Sequence, residues 1–124
     1  MEFKYDTKPT YIVITPAGTH IDANMTASLR QNLQKTTGEG NDNYIIDLQN
    51  CSSADNSSLA QFVHMHNECY ENGRSLVFTA VQDAVLQALK EGDIADEINI
   101  APTMQEAVDI ISMEILERDL LSEE

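Results

Sequence analysis

The chain has 124 residues, an apolar fraction of 42% and no tryptophan, which suits one domain with an aliphatic core. Its formal net charge of −14 argues against nucleic acid and anionic membranes as partners, since both require basic surface. No apolar run reaches the ~20 residues of a spanning helix. The opening "MEFKYDTKP" lacks the apolar stretch of an export signal, so a cytoplasmic protein with Cys51 and Cys69 reduced is expected.

In chain order, "FKY" reads as a short partner strand for "TYIVITPAG", whose β-branched run stops at Pro16 and Gly18. Asp22 is placed to cap a helix in which Met25, Leu29 and Leu33 recur on one narrow face, and the glycines of "TTGEGNDN" stop that helix. "YIIDL" is a strand covered on both sides. After "CSSADNSS", Leu59, Phe62, Val63, His66 and Tyr70 fall at helical spacing, and Asn72-Gly73 closes the helix. "SLVFTA" is a buried strand. "VQDAVLQALKEG" is a helix with Val81, Val85 and Leu89 on one face and Gly92 as its stop. "EINI" is a short strand ended by Pro102. Thr103 and Glu106 have the spacing of a capping box for a last helix carrying Met104, Val108, Ile111 and Ile115, which frays into "RDLLSEE".

The order β-β-α-β-α-β-α-β-α predicts an α/β fold: a mixed sheet of four to five strands, with right-handed parallel crossovers, flanked by about four helices. A single domain spans 1–124, with a core at about 10–112 and an acidic helical extension at 113–124. Residues 83–124 hold twelve Asp and Glu against Lys90 and Arg118, which reads as a solvated helical face rather than a dedicated binding patch.

Catalytic signals are sparse. There is no Gly-rich phosphate loop and no nucleophile elbow. Ser and Asp in the "DNSS" cluster, with His64 and His66 on the next helix, allow a Ser/His/Asp hydrolase to be imagined, but hydroxyls at a helix start are normally caps. His66 and Cys69 are three apart and could meet, yet two ligands make no zinc site, and His66 lies on the apolar stripe where a packed His is the commoner outcome. Cys51 precedes a helix start, where the dipole could activate it, although a small core-facing thiol is the simpler reading. Asp55, Asn56, Ser57 and Ser58 together exceed what one cap needs. The positive end of a helix also favours anions, and a phosphate on Ser57 or Ser58 would set about two negative charges beside Asp55.

Three segments resemble the STAS domain family of anti-sigma factor antagonists over nearly the whole chain. "GTHIDANMTASLRQNL" is similar to the G-x-(L/I)-D…L-R-x-x-L pattern, with one extra residue between Gly18 and Ile21. "YIIDLQNCSSADNSSLAQFV" resembles the strand, loop and helix signature built around D-S-S-G-L. "NGRSLVFTAVQDAVLQALKEGDI" resembles the strand and helix run that follows it.

The resemblance implies a small bacterial partner-switching module with no catalysis, cofactor or metal of its own. Such antagonists bind an anti-sigma factor that is also a serine kinase, and the kinase carries the ATP and Mg²⁺. Phosphorylation of the Ser after the signature Asp breaks the complex, and a phosphatase resets it. Carried over, Asp55 matches that Asp, Asn56 stands at the acceptor position, Ser57 matches the second hydroxyl, Ser58 replaces the Gly and Leu59 matches the Leu. Asp22 matches the first-loop Asp near the partner face, and Asp47 the strand-end Asp. The expected partner-binding set is therefore Asp22, Asp55, Asn56, Ser57, Ser58 and Leu59, on the 53–59 turn, the 19–24 loop and the exposed side of the following helix. Ser57 and Ser58 are the phosphorylation candidates. Asn56 cannot accept phosphate in the family's way, so the chain is expected to resemble the binding-competent, unphosphorylated state. Monomer or weak dimer is expected. The alternatives are an unphosphorylated scaffold or accessory subunit, in a signalling assembly or a transporter, and the Ser/His/Asp hydrolase.

Overall fold

A computed structural model describes residues 2–35 and 43–122. The helix stop expected in "TTGEGNDN" falls almost wholly on 36–42, outside the described residues.

Strands β1 (Phe3–Thr7), β2 (Ile12–Pro16), β4 (Tyr44–Asp47), β6 (Leu76–Thr79) and β7 (Ile100–Ala101) form one sheet in the order β1-β2-β4-β6-β7. The β1–β2 pair is antiparallel and every other pair is parallel. The order and the mixed sheet agree with expectation. Two short strands were not anticipated. β3 (His20–Ile21) and β5 (Ser53–Ala54) pair in parallel as a separate small sheet.

The pleat divides the core into two layers. Ile12, Ile14, Tyr44, Ile46, Leu76 and Phe78 face helices α1 (Ala23–Lys35), α2 (Asn56–Glu71) and α3 (Asp83–Glu91). Val13, Ile45 and Val77 face the opposite side, where α4 (Met104–Ser122) covers them with Ala107 and Ile111. With helices on both faces, β4 and β6 are buried at every position, which is why both read as apolar runs closed by a single buried polar residue, Asp47 and Thr79. Phe62 of α2 rests on Phe78 of β6 with ring centroids 4.5 Å apart.

Helix ends follow local chemistry. The Asp22 carboxylate accepts the Met25 amide at 2.9 Å and caps α1. The Thr103 hydroxyl accepts the Glu106 amide at 3.2 Å at the start of α4. α2 ends at Asn72, and Gly73 takes the left-handed conformation, φ +70°, that lets Arg74 donate back to the Cys69 carbonyl. At the end of α3 the sequence reading is half right. Gly92 is the cap but has an ordinary φ, and the left-handed residue is Asp93.

Two element boundaries move. "EINI" is not the strand: Glu97 donates to the Ile94 carbonyl in a turn that packs Ile94 and Ile98 inward, and pairing begins only at Ile100. The last helix does not fray at Arg118 but runs to Ser122. Arg118 turns inward and donates to the Ser75 hydroxyl at 3.0 Å and to the Asn43 side-chain carbonyl at 2.8 Å. Asn43 is itself fixed by the Ser75 amide and the Thr10 carbonyl. One long side chain thus ties the far end of α4 to the amino ends of β4 and β6.

Candidate functional site

The loop after β2 and the loop after β4 are separated by about thirty residues in sequence, yet they close against each other. Ser52 and Ser53 both donate backbone N–H to the Thr19 carbonyl, and Asp55 donates its backbone N–H to Ile21. The β3–β5 pair aligns His20 with Ser53 and Ile21 with Ala54. Asn50 reaches back to the Pro16 carbonyl at 3.2 Å. Ile21 and Cys51, both fully buried, fix the underside of this platform in the core. The 19–24 loop and the 53–57 turn therefore form one continuous surface.

On that surface the Asp55 carboxylate does not cap its own helix. The Ser58 amide is taken by the Asp55 main-chain carbonyl at 3.0 Å, and the side chain makes no capping bond. The carboxylate lies instead 3.3 Å from Nε2 of His20, whose Nδ1 is 2.8 Å from the Ser53 hydroxyl. A neutral His20 satisfies both contacts when Nε2–H donates to Asp55 and Ser53 O–H donates to Nδ1. His20 was missed by the sequence reading. Its signal was the extra residue in "GTHID", where the chain departs from the pattern it otherwise follows.

The remaining candidates divide by helical phase. Asn56 and Ser57 are exposed on the first turn of α2, whereas Ser58 and Leu59 rotate inward and are 4% and 0% exposed. The α2 positions that face the core are Ser58, Leu59, Phe62, Met65 and Cys69, spaced three and four apart. This corrects the expectation that Leu59 lies on the partner surface, which it holds up from below, while Ser58 lines the groove beside the platform. Asp22 is half-buried and engaged as a cap. Asp47 is buried at the end of β4, where it accepts the Gln49 amide at 3.1 Å and the Gln49 side chain at 2.8 Å, so it shapes the next loop from beneath.

Beside the platform an open groove of about 540 Å³ runs between α1 and α2, with Ala23 and Ala27 on one wall and Ser57, Ser58 and Gln61 on the other. Arg30, in its wall, is paired with Glu68 of α2.

The histidines of α2 do not join this site. His64 is exposed, and His66 stacks on Tyr70 with ring centroids 4.4 Å apart. Neither bonds Ser57 or Ser58, which corrects the imagined hydrolase arrangement. Ser53, His20 and Asp55 do form a hydroxyl–imidazole–carboxylate chain. It lies on open surface with the His20 and Asp55 side chains about half exposed, and this lacks the water-excluded setting in which such groups are strong catalysts. The Cys51 thiol is pushed up to about 11, by burial first and then by Asp47, and it donates to the Gly18 carbonyl at 3.5 Å. Burial likewise raises Cys69 to about 11. Both behave as packed core thiols. Among the described residues no cluster of three or more His, Cys, Asp or Glu is placed to hold a metal, and no helix is long and apolar enough to cross a membrane.

A family model described as "STAS domain" matches residues 2–107. No curated protein matches the sequence. Solved structures resemble the fold. The anti-sigma factor antagonist SpoIIAA of Bacillus, in its unphosphorylated form, superposes with a TM-score of 0.69 at 16% identity, covering 90% of this chain and 96% of that one. An anti-sigma factor antagonist from Mycobacterium paratuberculosis gives 0.74 at 14% identity, covering 90% and 93%. The murine anion transporter Slc26a9 gives 0.71 at 16% identity, where 87% of this chain corresponds to 18% of the transporter. At these identities the likeness establishes the fold.

Proposed function

The chain belongs to the STAS domain family, and from that premise we propose that it is a protein-docking module of the anti-sigma factor antagonist kind. Its docking surface is the joined 19–24 and 53–57 platform together with the groove between α1 and α2. The expected partner is an anti-sigma factor that is also a serine kinase. One observation carries this reading: Asp55 heads a helix yet does not cap it, and its carboxylate stands on the surface with Asn56, Ser57 and His20. A polar cluster that leaves its own helix end uncapped remains available to a partner. Solved neighbours that are themselves anti-sigma factor antagonists support the same reading.

Asn56 gives the module a distinctive regulation. It occupies the family's acceptor position with a neutral amide that cannot take phosphate. The surface stays binding-competent when the kinase has ATP and Mg²⁺. Of the hydroxyls that follow, Ser57 is exposed and Ser58 is buried, so Ser57 is the one a kinase could reach.

Isothermal titration against such an anti-sigma factor tests the proposal. Wild type binds with or without ATP–Mg²⁺, Asp55→Lys binds much more weakly, and Asn56→Ser becomes sensitive to ATP. Failure of wild type to bind overturns the assignment of partner. A phosphate on wild type by intact mass, lost in Ser57→Ala, overturns the unswitched state. The fold shared with Slc26a9 favours a second reading, an accessory module of a transport assembly, which predicts binding to a membrane-protein partner and none to the kinase.

A further inference from the structure

α4 carries apolar side chains on two opposite faces. Ala107 and Ile111 are fully buried against the sheet. Two residues further along a helix is a turn of about 200°, so Met113 points away from Ile111. Leu116 and Leu120 follow Met113 at three and seven residues and share its face. Met113, Leu116, Leu120 and the adjoining Leu121 are 62%, 59%, 57% and 70% exposed. A helix that is apolar on both sides is normally covered on both, and here the sheet covers one.

This stripe is not a loose tail. Arg118 anchors its second half to Ser75 and Asn43, and Glu114 accepts the Tyr70 hydroxyl at 2.7 Å in the turn before. The face is thus rigid before any partner arrives, which lowers the ordering cost of binding.

Charge identifies the occupant. Glu117 is exposed on the flank of the stripe and Asp109 on the same face one turn before Met113, while the helix's one cation, Arg118, is turned inward. A second copy of the chain would bring acid against acid, and the net charge of −14 opposes self-association throughout. An anionic membrane is repelled for the same reason. A basic amphipathic helix meets both requirements, with an apolar ridge for the leucines and Lys or Arg for the rim.

We propose that the outer face of α4 is a second docking surface, for an amphipathic helix of another protein with a leucine-like ridge edged by basic residues. It lies across the sheet from the 19–24 and 53–57 platform, so both surfaces can be occupied at once, and the proposal does not depend on the first partner's identity.

The test uses the full chain and two synthetic amphipathic helical peptides that share a leucine ridge, one flanked by lysines and one by glutamates. The lysine peptide binds saturably and protects amides of 109–121 from hydrogen exchange, and the glutamate peptide does not bind. Leu116→Gln with Leu120→Gln weakens binding by about tenfold or more, from the lost apolar burial. Both leucines are exposed, so unchanged circular dichroism verifies the fold, and Glu117→Lys supplies an independent loss through the rim. The proposal is overturned if the double variant binds the lysine peptide like wild type, if neither peptide binds, or if wild type forms a dimer that the double variant abolishes.

Discussion

Nε2 of His20 lies 3.3 Å from the Asp55 carboxylate, across a two-residue strand pair that joins distant loops. This pairing draws Asp55 away from its helix end, whereas Asp22, at the equivalent position before α1, caps through its side chain. Two aspartates with the same sequence signature therefore do different work.

The stability consequence is direct. Asp22→Ala removes a true cap and costs about 1 kcal/mol. Asp55→Ala removes an exposed carboxylate–imidazole hydrogen bond and costs less than about 0.5 kcal/mol. Urea unfolding of the two variants measures the difference, and equal losses would mean that Asp55 caps α2 in solution.

The contrast shows where the sequence was informative. β2, β4 and β6 were legible because each is a run of apolar, largely β-branched residues, and α1 to α3 because their buried positions recur every three or four residues. β3 and β5 were not, because two small polar segments gain strand geometry only from each other. His20 was missed because its role depends on a partner more than thirty residues away. What holds the last turns of α4 was missed for a similar reason, since the contact that secures them joins Arg118 to Asn43. Leu59 was assigned to the surface by motif, and the phase of α2 turns it inward.

Arg118 gives a second prediction. Arg118→Ala removes two charge-assisted hydrogen bonds and destabilises the fold by about 1–2 kcal/mol. Amides of 116–122 exchange faster in the variant, and the α4 docking face weakens with them. Unchanged exchange there would show that apolar packing alone holds the last turns of α4.

His66 sets a pH dependence. Burial lowers its pKa below the usual 6.5, against the opposing pull of Glu114 and Glu97. The unfolded chain therefore binds this proton more readily than the folded one. Stability is fully present above about 6.5, falls as the pH drops through the unfolded value, and levels off below the folded value. In His66→Phe this component is absent, so its stability relative to wild type rises as the pH falls through that window. Urea midpoints measured across the window check it, and a flat or opposite difference contradicts it.

In the proposed complex the partner docks on the platform built from the 19–24 loop and the 53–57 turn. Hydrogen-exchange footprinting of the complex with a serine-kinase anti-sigma factor tests it most directly. Docking there adds protection at the first turns of α1 and α2 and in the β3–β5 pair, and Asp55→Lys abolishes it. A stable complex whose protection lies elsewhere, with the platform amides unchanged, would contradict it.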